Sequence, residues 1–550
     1  LLSLMLLLIR ATKPSLGSPS QRAALHYRPV VAATPSLNVR RLGVRGPLRR
    51  ACSSGAERKT LAARAAYEGL GHDVDLGKIF VDPDSSFSAS AVPVHVMAKG
   101  NEAAVAQVAG KLAPLAKECK FKGDLGQTCI LPDVDSGGVS SVLFGVDDGS
   151  EPLAFGMAPG KLVEGSTYKL GESPEGFDAT QAAIAWGLGS YKFNRLKDVE
   201  KSTDDASSST TSLVWPEGVD RDYVMSVVRG MWIARDLINL PANYMGPVEL
   251  QEACKAIAEA NGAPVKVIEG AELEQDFPMV HAVGKASDRP PRLVEIIKPA
   301  TTGNTERILT LVGKGVVFDT GGLDLKPPSA MLAMKKDMGG AAAILGLASM
   351  LMSSQLDARL RVLIPIAENS VGGNAFRPSD VLTSRAKITV EVGNTDAEGR
   401  LLLADALAWA DEEKPEMVID MATLTGAHRV ALGWDLPGLF TNDDAAYNRI
   451  AEFGEQLGDP VWRLPLYKGY ESYLKSKVAD TSSTGSKPLA GAVTAALFLK
   501  KFVRSTIDDR RTWLHVDFAG WTDARPGRPE GGEPQCILAL YAYLMERFGS

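Results

Sequence analysis

Residues Ile308 to Ser353 read ILTLVGKGVVFDTGGLDLKPPSAMLAMKKDMGGAAAILGLASMLMS. An apolar run of strand length, Ile308 to Gly313, gives way to a glycine-rich stretch carrying Lys314, Asp319, Asp324, Lys326, Lys335, Lys336 and Asp337. The chain then enters a helix-like segment, Gly339 to Ser353. Downstream the same alternation recurs. Arg361 to Ile366 (RVLIPI), Ile388 to Val392 (ITVEV), Met417 to Met421 (MVIDM) and Trp513 to Phe518 (WLHVDF) read as strands, and Arg400 to Glu412 and Gly491 to Val503 as helices. Short apolar runs alternating with helical patterns predict an α/β fold, here a doubly wound mixed sheet with helices on both faces. In such sheets the working site lies beyond the carboxyl ends of the strands.

Upstream, Val92 to Met97 (VPVHVM) and Ser141 to Val146 (SVLFGV) read as strands and Ala179 to Phe193 as a helix. Asp198 to Ser212 (DVEKSTDDASSSTTS) is polar and has no large apolar residue, the composition of an exposed linker. Asp220 to Asn239 predicts a connecting helix: Val224, Val227, Val228, Met231, Trp232, Arg235 and Leu237 fall near a 3.6-residue period, and Pro241 ends it. The predicted organisation is a leader at 1–60, a smaller N-terminal α/β domain at 61–215 and a C-terminal domain at 216–550 that carries the chemistry.

The 550 residues are 45% hydrophobic and 23% charged, which excludes a chain disordered throughout. No apolar run approaches the ~20 residues that span a bilayer, so no membrane association is expected. The net charge of -6 hides an asymmetry: residues 1–60 hold eleven Lys or Arg and one acid, Glu57. Subtracting these from totals of 60 basic and 66 acidic residues leaves 49 against 65, a charge of -16 on residues 61–550. An acidic body is a poor match for nucleic-acid phosphates, and no nucleic-acid partner is expected. The Arg- and Ser-rich, acid-poor leader resembles an organellar transit peptide, so the expected location is mitochondrion or plastid, with the cytoplasm as the alternative. Five scattered cysteines without a CxxC argue against a disulfide framework or a zinc ribbon.

Charged residues gather where two apolar runs end. The second cluster, Asn394 to Leu407 (NTDAEGRLLLADAL), packs Asp396, Glu398 and Arg400 into five residues after Val392. In an extended or turning segment, residues two apart point the same way, and two such carboxylates repel unless a cation lies between them. One divalent metal, or a pair, is the natural neutraliser, and Asp319 and Asp337 can add oxygens. The six histidines are far apart, with no HExxH. A carboxylate bridging two metals ~3.5–4 Å apart is a hydrolase's equipment.

These segments resemble the M17 leucyl aminopeptidase (cytosol aminopeptidase) family. The family octapeptide NTDAEGRL stands unbroken at Asn394 to Leu401, and VGKGVVFDTGG, MKKDMGGAAA, ENSVGGNAFRPSDVL, DMATLTGA, LAGAVTAALFL and HVDFAG also look like family segments. The resemblance covers roughly residues 220–545. It implies a di-zinc enzyme (manganese or cobalt being alternatives) that releases leucine and other apolar first residues from peptides. It further implies five metal ligands: Lys314 through a neutral amine, Asp319 and Glu398 as bridges, Asp337 beside Lys314, and Asp396 on the other metal. Lys326 corresponds to the catalytic lysine that polarises the scissile carbonyl, and Arg400 to the arginine that holds a bicarbonate serving as general base. Lys326, Met334, Thr423, Leu424 and Gly426 correspond to substrate-binding positions, and the family's assembly implies a homohexamer. Two positions depart from the common pattern: Asp324, where Ser is frequent, and Leu332, where Asp is. An inward-facing Asp324 would hold Lys326 or favour a basic substrate. Rival readings are a two-metal phosphoesterase, a DNA-binding or scaffold role, and an inactive hexamer.

Overall fold

A computed structural model describes residues 73–133, 135–196 and 210–550. The predicted leader, 1–60, and most of the predicted linker lie outside the described residues. Two sheets organise the rest. The first has six strands: β1 (Phe80–Val81), β2 (Val92–Met97), β3 (Thr128–Pro132), β4 (Val139–Gly145), β5 (Thr167–Leu170) and β6 (Ser212–Val214). Their order is β1-β6-β5-β2-β4-β3, parallel except for β3 against β4. The end of the predicted linker is thus a strand: Ser212 to Val214 closes the sheet between β1 and β5.

The second sheet has nine strands. Its spine is β9 (Ile308–Gly313), flanked by β11 (Arg359–Asn369) and β14 (Met417–Ala422), with β18 (Thr512–Asp517) beyond β14. These four are mutually parallel. β7 (Val265–Glu269) and β8 (Arg292–Lys298) extend one edge antiparallel. On the other edge β15 (Gly438–Thr441) runs antiparallel to β18 and carries β16 (Trp462–Arg463). β10 (Gly315–Asp319) continues from β9 and pairs with the far end of β11. The sheet is therefore mixed and doubly wound.

Alternation along each strand feeds two cores. Leu309, Leu311, Val362, Ile364, Ile419 and Met421 pack against the helices Arg221–Asn239, Gly339–Met352 and Ile537–Phe548. Val312, Leu363, Val418 and Trp513 face the helices Pro278–Gly284, Gly399–Glu412 and Gly491–Leu499. Both faces of the strands are buried, which is why these runs read as continuous apolar stretches.

One expected strand is placed differently. The ITVEV run supplies only Thr389–Glu391 as β13, and it joins a separate three-stranded sheet between β12 (Val381–Thr383) and β17 (Thr481–Ser482). β12 and β13 pair as an antiparallel hairpin, Val381 opposite Glu391, Leu382 opposite Val390 and Thr383 opposite Thr389, and β13's other edge is taken by β17.

The helix Arg221–Asn239 begins where Asp220 accepts a hydrogen bond from the Tyr223 amide and ends before Pro241. It touches both domains. Trp232 Nε1 donates to Gly187 O at 3.1 Å in the helix Ala179–Gly189, and a Cβ at Gly230 would meet Met350 at 2.6 Å. Near its end Arg235, fully buried, pairs with Glu533, which also takes Arg528; Arg528 in turn reaches Asp459 at 3.1 Å. Among the described residues no helix is long and apolar enough to cross a membrane.

Candidate metal centre

Lys314 follows the last residue of β9, and its amide donates to Met421 O of β14 at 3.1 Å, fixing the backbone at the sheet's carboxyl edge. Its side chain runs past Gly399, where a Cβ would sit 2.3 Å from Lys314 Cε. Only glycine leaves that path open. The ammonium ends 2.7 Å from Asp337 Oδ2 and 2.9 Å from Glu398 Oε1.

Asp319 ends β10 opposite Asn369, the last residue of β11. Its Oδ1 accepts from Asn369 Nδ2 and from the Gly321 amide, both at 2.8 Å. Gly321 turns the chain at φ +88° and brings Lys326 back, so that Lys326 Nζ lies 2.8 Å from Asp319 Oδ2 and also contacts Asp396 Oδ1.

The signature segment is not extended. Asn394 accepts from the Asp396 amide at 2.7 Å, residues Thr395–Ala397 form a single 3-10 turn, and Glu398 stands at the N-terminus of the helix Gly399–Glu412. The two carboxylates face one cavity, as expected of an extended or turning segment, here a turn. Glu398 gains from the positive end of the helix.

Oxygens of Asp319, Asp396 and Glu398 lie within 4.8 Å of one another. Lys314 and Asp337 complete the lining of a cavity of about 110 Å³ that also includes Lys326, Met334, Thr423, Leu424 and Gly426. Asp337 is set apart from the triad, joined to it through Lys314, and its Oδ1 accepts from the Thr423 hydroxyl at 2.9 Å. Arg400 is brought close but does not line the cavity; its Nη1 donates to Ser483 O at 2.7 Å and its buried Nε has no hydrogen-bond partner. A larger cavity of about 340 Å³, lined by Phe155 and Phe177, holds none of the residues singled out from the sequence.

The electrostatics are those of a nest of negative charge. Burial pushes the Asp337 carboxyl up to about 7. Burial, then the charge of Asp319, pushes Asp396 up to about 6. Burial disfavours the Lys314 ammonium, but Asp337, Glu398 and Asp319 together outweigh it and hold the group above the ordinary lysine range. Lys326 is raised in the same way against its own burial, chiefly by Asp319. The neutral amine expected at Lys314 is thus not its state among bare carboxylates. Burial lowers Arg400 to about 10 and Lys336 to about 8.

Asp324 faces neither Lys326 nor the cavity. Its Oδ2 accepts from the Thr395 amide at 2.7 Å, and its own amide donates to the Thr395 hydroxyl at 2.8 Å. Leu332 is 86% exposed. Sequence reasoning did not single out Phe518, Lys336 and Arg429 as cavity residues, nor Asn369, which does not line the cavity but donates to Asp319. Asn369 alone left a signal, a polar residue closing an apolar strand.

The donor set fits divalent cations. Both Glu398 oxygens are buried without a hydrogen bond, the Lys314 contact at 2.9 Å lacking the geometry of one, and the Asn369 Oδ1 is unpartnered as well. Buried carboxylate oxygens left unpartnered beside two ammonium groups are acceptors awaiting positive charge.

A buried nest of carboxylates and lysines gathered at the carboxyl edge of a doubly wound sheet fits a metal-dependent hydrolase, and the comparisons narrow the class. The cytosol aminopeptidase family catalytic domain matches residues 232–538, and the M17 aminopeptidase N-terminal domain matches 92–207. A probable cytosol aminopeptidase of Chlorobium phaeobacteroides is 38% identical over 440 residues, covering 73% of this chain and 85% of that protein. The crystal structure of a cytosol aminopeptidase from Coxiella burnetii superposes with a TM-score of 0.78 at 40% identity, over 86% of this chain and 99% of that one. The bottromycin maturation enzyme BotP in complex with Mn superposes at 0.73 with 28% identity, over 83% and 99%. The chain belongs to the M17 cytosol aminopeptidase family, and its fold and family make it a metallo-aminopeptidase that acts on peptides.

Proposed function

We propose that this chain holds two divalent cations, zinc first and manganese or cobalt as alternatives, and removes leucine and other apolar residues from peptide N-termini. The observation that carries the proposal is the buried, unpartnered Glu398 carboxylate set among Asp319, Asp396 and Lys314. By family likeness Asp319 and Glu398 would be shared by the two cations, Lys314 and Asp337 would serve one, and Asp396 the other. Bound cations would supply Lewis acidity towards the scissile carbonyl and lower the pKa of a water.

The chain's own residues do the rest. Lys326, held by Asp319, keeps its proton and offers N–H groups to the oxygen on which charge develops. Asp319 is oriented by two N–H donors, so its second oxygen points into the cavity. Met334, Leu424 and Phe518 give the first side chain an apolar wall. Arg400, with its free Nε next to Glu398, suits a bicarbonate that takes a proton from the attacking water.

The domain boundary at 215/216 is supported by β6 ending at Val214 and the shared helix starting at Arg221. Residues 1–60 are read as an organellar address on their basic, acid-poor composition. A homohexamer is the assembly proposed, on family likeness. The test is metal content and hydrolysis of an aminoacyl-amide panel by the wild type, Asp319→Ala and Lys326→Ala. Asp319→Ala should lose metal; Lys326→Ala should keep it and slow by ~10²–10³-fold. Full activity in either variant refutes the assigned roles.

A further inference from the structure

The cavity contains two cations that this chemistry does not use. Lys336 is only 4% exposed, yet it lines the same cavity as Asp337. Arg429, half-buried on the helix Gly426–Leu432, lines it too, with its guanidinium 4.7 Å over the Trp434 ring. Among the described residues neither one makes an ion pair. Asp337 spends its oxygens on Lys314 and Thr423. The other nearby acid, Asp517, is filled by the amides of Leu424 and Thr425, the Thr425 hydroxyl and His428. Asp319, Asp396 and Glu398 face Lys314 and Lys326.

Lys336 and Arg429 come from the segments that supply Met334, Leu424 and Gly426, where the first side chain of a peptide is read to sit. A buried ammonium without a counter-charge is costly, and an anion that reaches it regains that cost. Two cations lining a cavity that Met334, Leu424 and Phe518 also line suit a side chain with methylenes and a terminal carboxylate.

We propose that Lys336 and Arg429 form a carboxylate-recognising end of the first-residue pocket, so that peptides beginning with Glu, and less well Asp, are cleaved alongside those beginning with Leu. This rests on the aminopeptidase reading above. Glu is favoured over Asp because its extra methylene spans the apolar wall.

The experiment compares Leu-, Gln- and Glu-p-nitroanilide with the metal-loaded full chain, for the wild type, Arg429→Ala and Lys336→Met. Gln has the shape of Glu without its charge. The wild type should favour Glu over Gln by about tenfold or more in kcat/KM, the worth of one charge-assisted contact. Each variant should cut that Glu-to-Gln ratio by about tenfold. Arg429 sits on a half-exposed helix face, so Arg429→Ala should fold even if the buried Lys336→Met does not. Equal turnover of Glu and Gln by the wild type, or an unchanged ratio in Arg429→Ala, overturns the proposal. Loss of turnover on all three substrates in the wild type would overturn the peptidase reading instead.

Discussion

Gly399→Ala adds one methyl group and should disable the centre. A Cβ at this position would lie 2.3 Å from Lys314 Cε, 2.6 Å from Nζ and 2.7 Å from Cδ. Carbon atoms in contact sit ~3.5–4.0 Å apart, so the lysine must retreat by more than ~1 Å. It has nowhere to go, being 2% exposed and held at 2.7 Å from Asp337 and 2.9 Å from Glu398. Overpacking of this kind costs about 1–3 kcal/mol, and removing a glycine from a helix returns about 0.5–1 kcal/mol. The net loss of stability is thus about 0–2.5 kcal/mol, and the chain should still fold. The effect on function should be larger, because a displacement of 1 Å at a reacting centre costs ~10²-fold. Thermal melting, metal content and leucyl-p-nitroanilide turnover together check this. A modest drop in melting temperature with substoichiometric metal and ~10²-fold lower kcat/KM is expected. Wild-type kcat/KM with full metal content would refute the claim that Gly399 is reserved for the path of Lys314.

Two further predictions concern charge. In the chain stripped of metal, Asp337 and Asp396 are raised to about 7 and about 6 from an ordinary 3.8. The folded state then keeps protons that the unfolded chain has released. Their stabilising contribution is full below about pH 4 and is lost as pH rises through 6 and 7, and apparent metal affinity should climb over the same window as those protons leave. Melts of chelator-treated protein and competition with a metal indicator across that range check both slopes; an opposite sign in either defeats the reasoning. Separately, Glu533→Ala should destabilise by about 3–5 kcal/mol, because it strands Arg235 and Arg528, both fully buried, without their shared partner. Chemical denaturation reads this directly, and a loss below about 1 kcal/mol would mean that water or Asp459 takes over.

The spine of the large sheet was legible because burial on both faces keeps its runs mostly apolar, and Ile308–Gly313 matches its strand end to end. The helix Arg221–Asn239 was legible from its period and its Asp220 cap. β8 was not. It carries Arg292 and Glu295, which look like surface charges until Gln251 meets one at 2.7 Å and Arg361 the other at 2.7 Å. β10 was missed because Lys314 and the glycines around it break the apolar run, although that break places the lysine at the sheet edge. Of the site, the carboxylates and lysines were visible as charge where apolar runs stop. Lys336 and Arg429 were not assigned to the cavity, because a lysine beside another lysine and an arginine on a helix look solvated until the fold closes over them.

Thr395 lies where the two sheets meet. Lys314 and Asp319 hang from the large sheet, whereas Asp396 and Glu398 follow a strand of the small one. The Thr395 hydroxyl donates to Gly321 O at 2.6 Å and accepts from the Asp324 amide, its own amide donates to Asp324, and its carbonyl accepts from Asn369 Nδ2 at 3.1 Å. This one buried threonine is a clasp that sets the spacing between the jaws of the centre. A change deep in the small sheet can therefore detune the grip on cations without touching a single ligand, and the bite of the centre is a property of how two layers are buttoned together.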